Sequence, residues 1–263
     1  MTAARSGVSR DRELTLAHEL AALARPIILE HFRSPLAVEA KHDLSPVTVA
    51  DRGAEAAMRR AIGRAFPDHG IIGEEYGSER ADAEFVWVLD PIDGTKSFIT
   101  GKPLFGTLIA LTWQGRPVVG VIDMPALDER WCGADDRGTT CNGAPVHSRG
   151  CGELAHATLY ATTPHMFHGA DADGFARLTA RVRYPLYGAD CYAYAMLAGG
   201  WNDLVVEASL AVYDYCALVP VVEGAGGVMA DWQGRPLTTG SDGRVIACGD
   251  RRLLDPALAC LTG

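Results

Sequence analysis

Cysteine pairs with C-x-x-C spacing are absent from this sequence, and the cysteine count, seven, is odd. That pattern argues against a disulfide framework and against a zinc site, and makes a reducing cytoplasm the expected setting. Long hydrophobic runs are also lacking. The longest, such as Leu108 to Leu111 and Val118 to Ile122, are too short to span a bilayer. Residues 1–14 have no apolar stretch of the kind a signal peptide needs, so none is expected. Positive charge is in deficit: 24 Lys and Arg face 33 Asp and Glu, a net charge of −9. Such a surface repels nucleic acid and anionic lipid, so neither is expected as a partner. A small anionic substrate stays compatible, because a bound metal ion can invert the local sign. Repeats, low-complexity tracts and long linkers are absent as well.

What is present is enough apolar material for a large core. Hydrophobic residues make up 48% of the 263 residues and charged residues 22%. One large domain or two closely packed halves would bury them. Leu14, Ala17, Ala21, Ala24 and Ile28 recur at helical spacing over Asp11 to Phe32, with Pro26 as a possible break. Val47 to Phe66 reads as a second helix. Short apolar runs then alternate with turn residues: Ile71-Ile72, Phe85 to Leu89, Leu104 to Trp113, Val118 to Ile122 and Arg130 to Gly133. These predict a sheet with hairpins. Beyond about residue 145 the reading changes to alternating strands and helices. Strands are expected at Thr158 to Thr162, Asp203 to Glu207 and Val245 to Cys248. Helices are expected at Phe175 to Val182, Cys191 to Ala198, Tyr213 to Glu223 and Arg252 to Leu261.

The chemistry concentrates in acidic residues beside turns. Asp90-Pro91-Ile92-Asp93-Gly94-Thr95 follows the apolar run Phe85 to Leu89. Asp-Pro and Asp-Gly both favour turns, so a plain turn is the bland reading. The sharper one is a metal loop: two carboxylates on a tight turn converge, the Ile92 carbonyl adds a third hard oxygen, and magnesium prefers such ligands. Gly94 lets a phosphate approach the backbone, and the Thr95 hydroxyl can orient a water. Gly73-Glu74-Glu75 lies upstream, where a solvated acidic turn is the alternative. Asp214 precedes the segment ending Glu-Gly-Ala-Gly-Gly and could be an ordinary N-cap. Asp51 follows Thr48 by three residues and could belong to a capping box.

Together GEE at 73–75, DPIDGT at 90–95 and Asp214 before a helix ending EGAGG resemble the inositol-monophosphatase superfamily, from about residue 10 to the C-terminus. The resemblance implies an α/β fold, a layered αβαβα sandwich with an α+β N-terminal half. Residues 1–145 would carry the metal-binding loops and residues 146–263 would complete the active site. It further implies that Glu74, Asp90 and the Ile92 carbonyl hold one Mg2+, that Asp90, Asp93 and Asp214 hold a second, and that Glu75 and Asp51 either support a third, weaker one or brace the ligands from behind. Mn2+ could substitute. Glu74 and Thr95 would activate a water, with Asp93 beside them, and the Gly94 and Thr95 amides would grip the phosphate. The implied assembly is a homodimer.

Several stretches resemble the histidinol-phosphate phosphatase branch: 41–51, Gly94 to Gly101, Gly188 to Tyr194, Asp203 to Glu207, and Tyr213-Asp214-Tyr215. Ser97 stands where inositol phosphatases usually carry Asn, and Asp190-Cys191 where they carry small residues. A carboxylate at Asp190 beside Glu207 suits an ammonium or imidazolium group. The bland readings are an N-cap for Asp190 and a solvated rim residue for Glu207. The expected activity is therefore a magnesium-dependent phosphomonoester hydrolase acting on L-histidinol phosphate, in histidine biosynthesis. The alternatives are an inositol-1-phosphate phosphatase and a non-catalytic metal or phosphate sensor on the same fold. His165 and His168 lack a third ligand and read as surface residues. Lys41 could lie near a metal-site loop, with plain exposure the default for lysine. Lys96 and Lys102 flank the phosphate loop and could assist it electrostatically, although two lysines near a turn are common. Trp87, Trp113, Trp131, Trp201 and Trp232 read as core or rim packing.

Overall fold

The structure is a computed structural model that describes residues 10–34, 39–40, 46–47 and 49–263, so Lys41 and Thr48 lie outside the described residues. Strands are β1 Glu39–Ala40, β2 Pro46–Val47, β3 Gly70–Gly73, β4 Gly77–Glu79, β5 Phe85–Asp93, β6 Gly106–Trp113, β7 Arg116–Met124, β8 Glu129–Ala134, β9 Arg137–Cys141, β10 Ala144–Pro145, β11 Thr158–Ala161, β12 Tyr184–Tyr187, β13 Leu204–Glu207, β14 Val228–Ala230 and β15 Val245–Cys248. Helices are α1 Asp11–His31, α2 Val49–Ala65, α3 Thr95–Ile99, α4 Ala170–Thr179, α5 Tyr192–Ala198, α6 Val212–Tyr215, α7 Leu218–Gly224 and α8 Leu254–Thr262.

Two sheets form the frame. The larger has eight strands in the order β10-β9-β8-β7-β6-β5-β3-β4, and the smaller five in the order β12-β11-β13-β15-β14. In the large sheet only β3 and β5 pair in parallel; its other pairs are antiparallel. Successive strand side chains point to opposite faces, and the central strands β5, β6, β7, β13 and β15 are buried almost throughout, so each sheet has two apolar faces and each face needs a cover. Helices α1 and α2 cover one face of the large sheet, where Leu20, Ile28, Met58 and Ile62 meet Trp87 and Ile109. Helices α5 and α7 fill the space between the sheets, packing Tyr194, Leu197 and Val221 against Ile122 and Val205. Helices α4 and α8 close the far side of the small sheet around Phe175, Trp232 and Leu261. The stack is the expected αβαβα sandwich.

Several elements differ from the sequence reading. Helix α1 runs through Pro26 without ending. The helix expected at Tyr213 to Glu223 is two helices, α6 and α7. Pro220 has no N–H to donate to the Cys216 carbonyl, so the helix restarts at Leu218 with Pro220 in its first turn, where no donor is needed. The break also seats the Ala217 carbonyl against Gly120 of β7, where an added Cβ would come within 2.0 Å of that oxygen. Strand β12 was not expected, and α4 starts earlier, after Gly169. A 3₁₀ turn, Arg251–Leu253, leads into α8. Among the described residues no helix is long and apolar enough to cross a membrane, and all seven cysteines are thiols.

Candidate active site

The site is built on the end of β5. This strand does not stop at Asp90, as a tight turn would require; it continues to Asp93. Its pairing with β6 changes register there: Asp90 opposes Leu108 and Asp93 opposes Gly106, so Pro91 and Ile92 face the single residue Thr107. Pro91 cannot donate to the ladder, which favours a bulge at this point. The Thr107 hydroxyl donates to the Pro91 carbonyl at 2.8 Å and fastens the bulge. Residues three apart on a regular strand point to opposite faces, but one extra residue restores the same face. The bulge, rather than a turn, is therefore what makes Asp90 and Asp93 converge.

Three further elements bring acidic groups to the same point. Strand β3 runs parallel to β5 with Gly73 opposite Leu89, so the next residue, Glu74, emerges beside Asp90, and its N–H donates to the Leu89 carbonyl at 3.2 Å. Asp51 is buried in the first turn of α2. Asp214 sits in α6 and accepts a hydrogen bond from the Ala211 N–H at 2.7 Å, so the capping reading holds in part, as a reach back along its own turn. Ligand atoms of Asp90, Asp93 and Asp214 lie within 4.8 Å of one another. Glu75 is tucked in beside Arg52, 3.8 Å away.

The electrostatics follow from that crowding. Asp90 is 1% exposed, and burial first, then Glu74, Asp93, Asp214 and Asp51, pushes its carboxyl well above the usual range. Asp93 is pushed up by burial and by Asp190 and Asp214, against the Cys191 N–H that donates to it at 2.7 Å. Asp90 Oδ1 is buried without a hydrogen-bond donor among the described residues. Converging carboxylates and an orphaned buried oxygen cost free energy unless a cation joins them. An all-oxygen donor set of this kind fits Mg2+.

Gly94, at φ +80°, turns the chain from β5 into α3. A Cβ there would lie 3.1 Å from the Leu104 carbonyl and 3.2 Å from the Asp190 carboxylate, so glycine is required twice over. The Thr95 hydroxyl donates to the Ile92 carbonyl at 3.1 Å, which places both beside the acidic cluster.

Asp190 and Glu207 correct their bland readings. Asp190 does not cap α5; it is left-handed at φ +48°, and its carboxylate accepts from the Ser97 hydroxyl at 2.9 Å. Burial raises its pKa, opposed by Ser97 and the ammonium groups of Lys102 and Lys96. Glu207 is no rim residue: it is buried and accepts from the Thr162 N–H at 2.9 Å and the Tyr194 hydroxyl at 3.0 Å. A cavity of about 130 Å³ joins Asp190, Glu207, Thr162 and Tyr194 to Asp93 and Asp214. Two larger hollows, about 320 and 340 Å³, flank α1, but each mixes acidic with basic side chains. His165 and His168 are exposed, as expected, whereas Trp201, expected to pack at the core or rim, is 73% exposed. Glu55 escaped the sequence reading because Glu55 and Arg59, four apart on a helix, look like an ordinary surface pair; the structure buries Glu55 against the Glu74–Glu75 turn.

A layered sandwich with a carboxylate cluster at the bulged end of a central strand defines a phosphatase of the sugar-phosphatase type. The chain belongs to the inositol monophosphatase family, whose model matches residues 10–262. It is thus a phosphomonoester hydrolase by family, and that family is generally metal-dependent, typically on Mg2+. It is 46% identical, over 97% of its length and 77% of the relative's, to the bifunctional phosphatase IMPL2, chloroplastic, of Arabidopsis thaliana. It is 36% identical to a histidinol-phosphatase of Chlorobaculum parvum, covering 89% of this chain and 92% of that one. Its fold superposes on an inositol monophosphatase from Zymomonas mobilis with a TM-score of 0.90, at 49% identity, covering 97% and 99% of the two chains.

Proposed function

We propose that this protein is a magnesium-dependent phosphatase whose substrate is L-histidinol phosphate, serving histidine biosynthesis. The observation that carries the reading is the cavity in which Asp190 and Glu207 adjoin Asp93 and Asp214. Histidinol phosphate brings a phosphate at one end and an ammonium and an imidazole at the other. A buried carboxylate, Glu207, and a part-buried one, Asp190, beside the acidic cluster are an expensive arrangement for a neutral polyol, and a favourable one for a cation that restores charge balance.

In this reading Glu74, Asp90 and the Ile92 carbonyl, then Asp90, Asp93 and Asp214, hold Mg2+, with Glu75 and Asp51 supporting a further site. An ion held by these residues would supply a lowered pKa for water and compensation of the charge that develops on the reacting oxygens. The chain's own work is positional. The Gly94 and Thr95 N–H groups, in the first turn of α3, have no acceptor within the helix and are free to take phosphate oxygens. The Thr95 hydroxyl and Glu74 orient the attacking water, and the Glu74 carboxylate takes its proton. Asp190, fixed by Ser97, and Glu207, fixed by Thr162 and Tyr194, receive the cationic end of the substrate. The leaving alkoxide develops on the Asp214 side and takes its proton from a solvent water.

Inositol 1-phosphate is the second reading, favoured by the 49% identity to the Zymomonas mobilis inositol monophosphatase. The test is kcat/KM for both substrates under saturating magnesium. A preference of about a hundredfold for histidinol phosphate, about 2.7 kcal/mol in the transition state, supports the first reading. Equal rates, or a preference for inositol phosphate, overturn it. No turnover of any monoester by folded protein would favour a non-catalytic sensor.

A further inference from the structure

Helix α2 presents one continuous stripe to the site: Asp51, Glu55 and Arg59 recur four residues apart and share a face. Asp51 stands at the acidic cluster. Glu55, one turn on, is fully buried, an unusual place for a carboxylate unless it holds something. Its Oε2 accepts the Glu75 N–H at 2.8 Å, and its Oε1 accepts the Tyr76 N–H at 3.2 Å. Arg59 donates to Oε1 at 2.8 Å, and its other nitrogen donates to the Gly77 carbonyl. The Arg59 guanidinium also lies 6.0 Å from the Tyr76 ring centroid. Gly73 completes the fit, because a Cβ there would come within 2.1 Å of Glu55 Oε1. Gly73, Glu75, Tyr76 and Gly77, the residues on either side of Glu74, are therefore all in contact with Glu55 or Arg59. Glu74, the residue left to face Asp90, is held by its neighbours on either side.

We propose that Glu55, braced by Arg59, is the positioning residue that sets Glu74 against Asp90 and thereby fixes the affinity of the acidic centre for a divalent cation. The proposal rests on the reading of that centre as a Mg2+ site. Glu55 touches no substrate. Its effect is on where the Glu74 carboxylate lies, and a metal ion demands closer placement of its ligands than folding does. Glutamine at this position keeps the shape but turns an NH2 group toward backbone N–H groups that need an acceptor, so the turn loses one of its anchors.

The experiment is calorimetric titration of Mn2+ into metal-free protein, paired with the Mg2+ concentration giving half-maximal phosphate release. Glu55→Gln is expected to weaken Mn2+ binding by about tenfold or more and to raise the Mg2+ requirement in parallel, as supporting groups of metal ligands do when removed. At saturating Mg2+, kcat is expected to recover to within about threefold of wild type, because a bound ion draws the Glu74 carboxylate back to its place beside Asp90 and the phosphate grip and cation pocket are untouched. Arg59→Met, which keeps the packing, should shift both quantities in the same direction by less. A drop in thermal stability with unchanged Mn2+ affinity in both variants would overturn the proposal and leave Glu55 a structural residue. A loss of kcat that excess metal does not restore would overturn it too. Wild-type protein that takes up no Mn2+ would overturn the metal reading and this proposal together, whereas equal binding by wild type and variants overturns this proposal alone.

Discussion

Replacing Asp90 by asparagine should make the metal-free protein more stable while abolishing its activity. Asp90 is 1% exposed and surrounded by Glu74, Asp93, Asp214 and Asp51. Two full charges 4.8 Å apart, the spacing that bounds the Asp90–Asp93–Asp214 trio, repel by about 3 kcal/mol at an effective dielectric near 20. Proton uptake relieves part of this in the metal-free state, which is what the raised pKa of Asp90 means. A neutral amide of the same shape removes the rest and can donate to a neighbouring carboxylate. The net gain expected at neutral pH is about 1–3 kcal/mol, which for a chain of this length raises Tm by about 2–4 °C per kcal/mol. Saturating Mg2+ should reverse the order: a ligand at a hundred times its Kd stabilises the wild type by about 2.7 kcal/mol, and the variant, short of one ligand, gains far less. The assay is thermal unfolding of both proteins with EDTA and with Mg2+. If Asp90→Asn lowers the Tm of the metal-free protein, the carboxylates are mutually supporting structure and the argument from crowding fails.

Three other outcomes follow from the same geometry. Gly94→Ala forces a Cβ against Asp190 and the Leu104 carbonyl at a left-handed position, and should cut kcat/KM by about a hundredfold through a displaced phosphate loop while leaving a folded protein; near-normal turnover would remove Gly94 from the argument. Asp190→Ala should impair histidinol phosphate far more than inositol 1-phosphate, and equal loss on both, measured as kcat/KM, would deny it a role in reading the cation. Asp123 is fully buried and accepts from Arg25 and Arg130 away from the acidic cluster, so Asp123→Asn should cost about 3 kcal/mol of stability with little change in Mg2+ requirement; a Tm unchanged within error would contradict this.

The acidic loop was legible because its residue types are conspicuous. A carboxylate pair divided by proline, followed by glycine and threonine, has few uses at the end of an apolar strand. What joins those carboxylates was hidden, since the bulge between Asp90 and Asp93 is a relation between β5 and β6 and exists in neither strand alone. The same holds for Glu55: nothing local separates a buried Glu–Arg pair from a solvated one. The one available signal was Gly73, whose missing side chain leaves room for Glu55. Helix placement was readable where periodicity was strong, as in α1 and α2, and misjudged where a proline fell late in the pattern, as with Pro220 in α7. Strand β12 carries Pro185 and lies exposed at a sheet edge, so its period-2 signal is weak. For Glu207 the rim alternative stayed open beside the substrate role because a strand end is usually solvated; the helix that buries it, α5, packs there only in the folded chain.

The central claim is that the cluster of Asp90, Asp93 and Asp214 is the metal centre of a phosphomonoesterase. Phosphate release from histidinol phosphate by purified wild-type protein and by Asp93→Asn, each with Mg2+ and with excess EDTA, tests it most directly. Turnover by the wild type with Mg2+ alone, and near-complete loss both with EDTA and in the variant, is the expected result. Turnover that persists in EDTA, or a variant as active as the wild type, would contradict it.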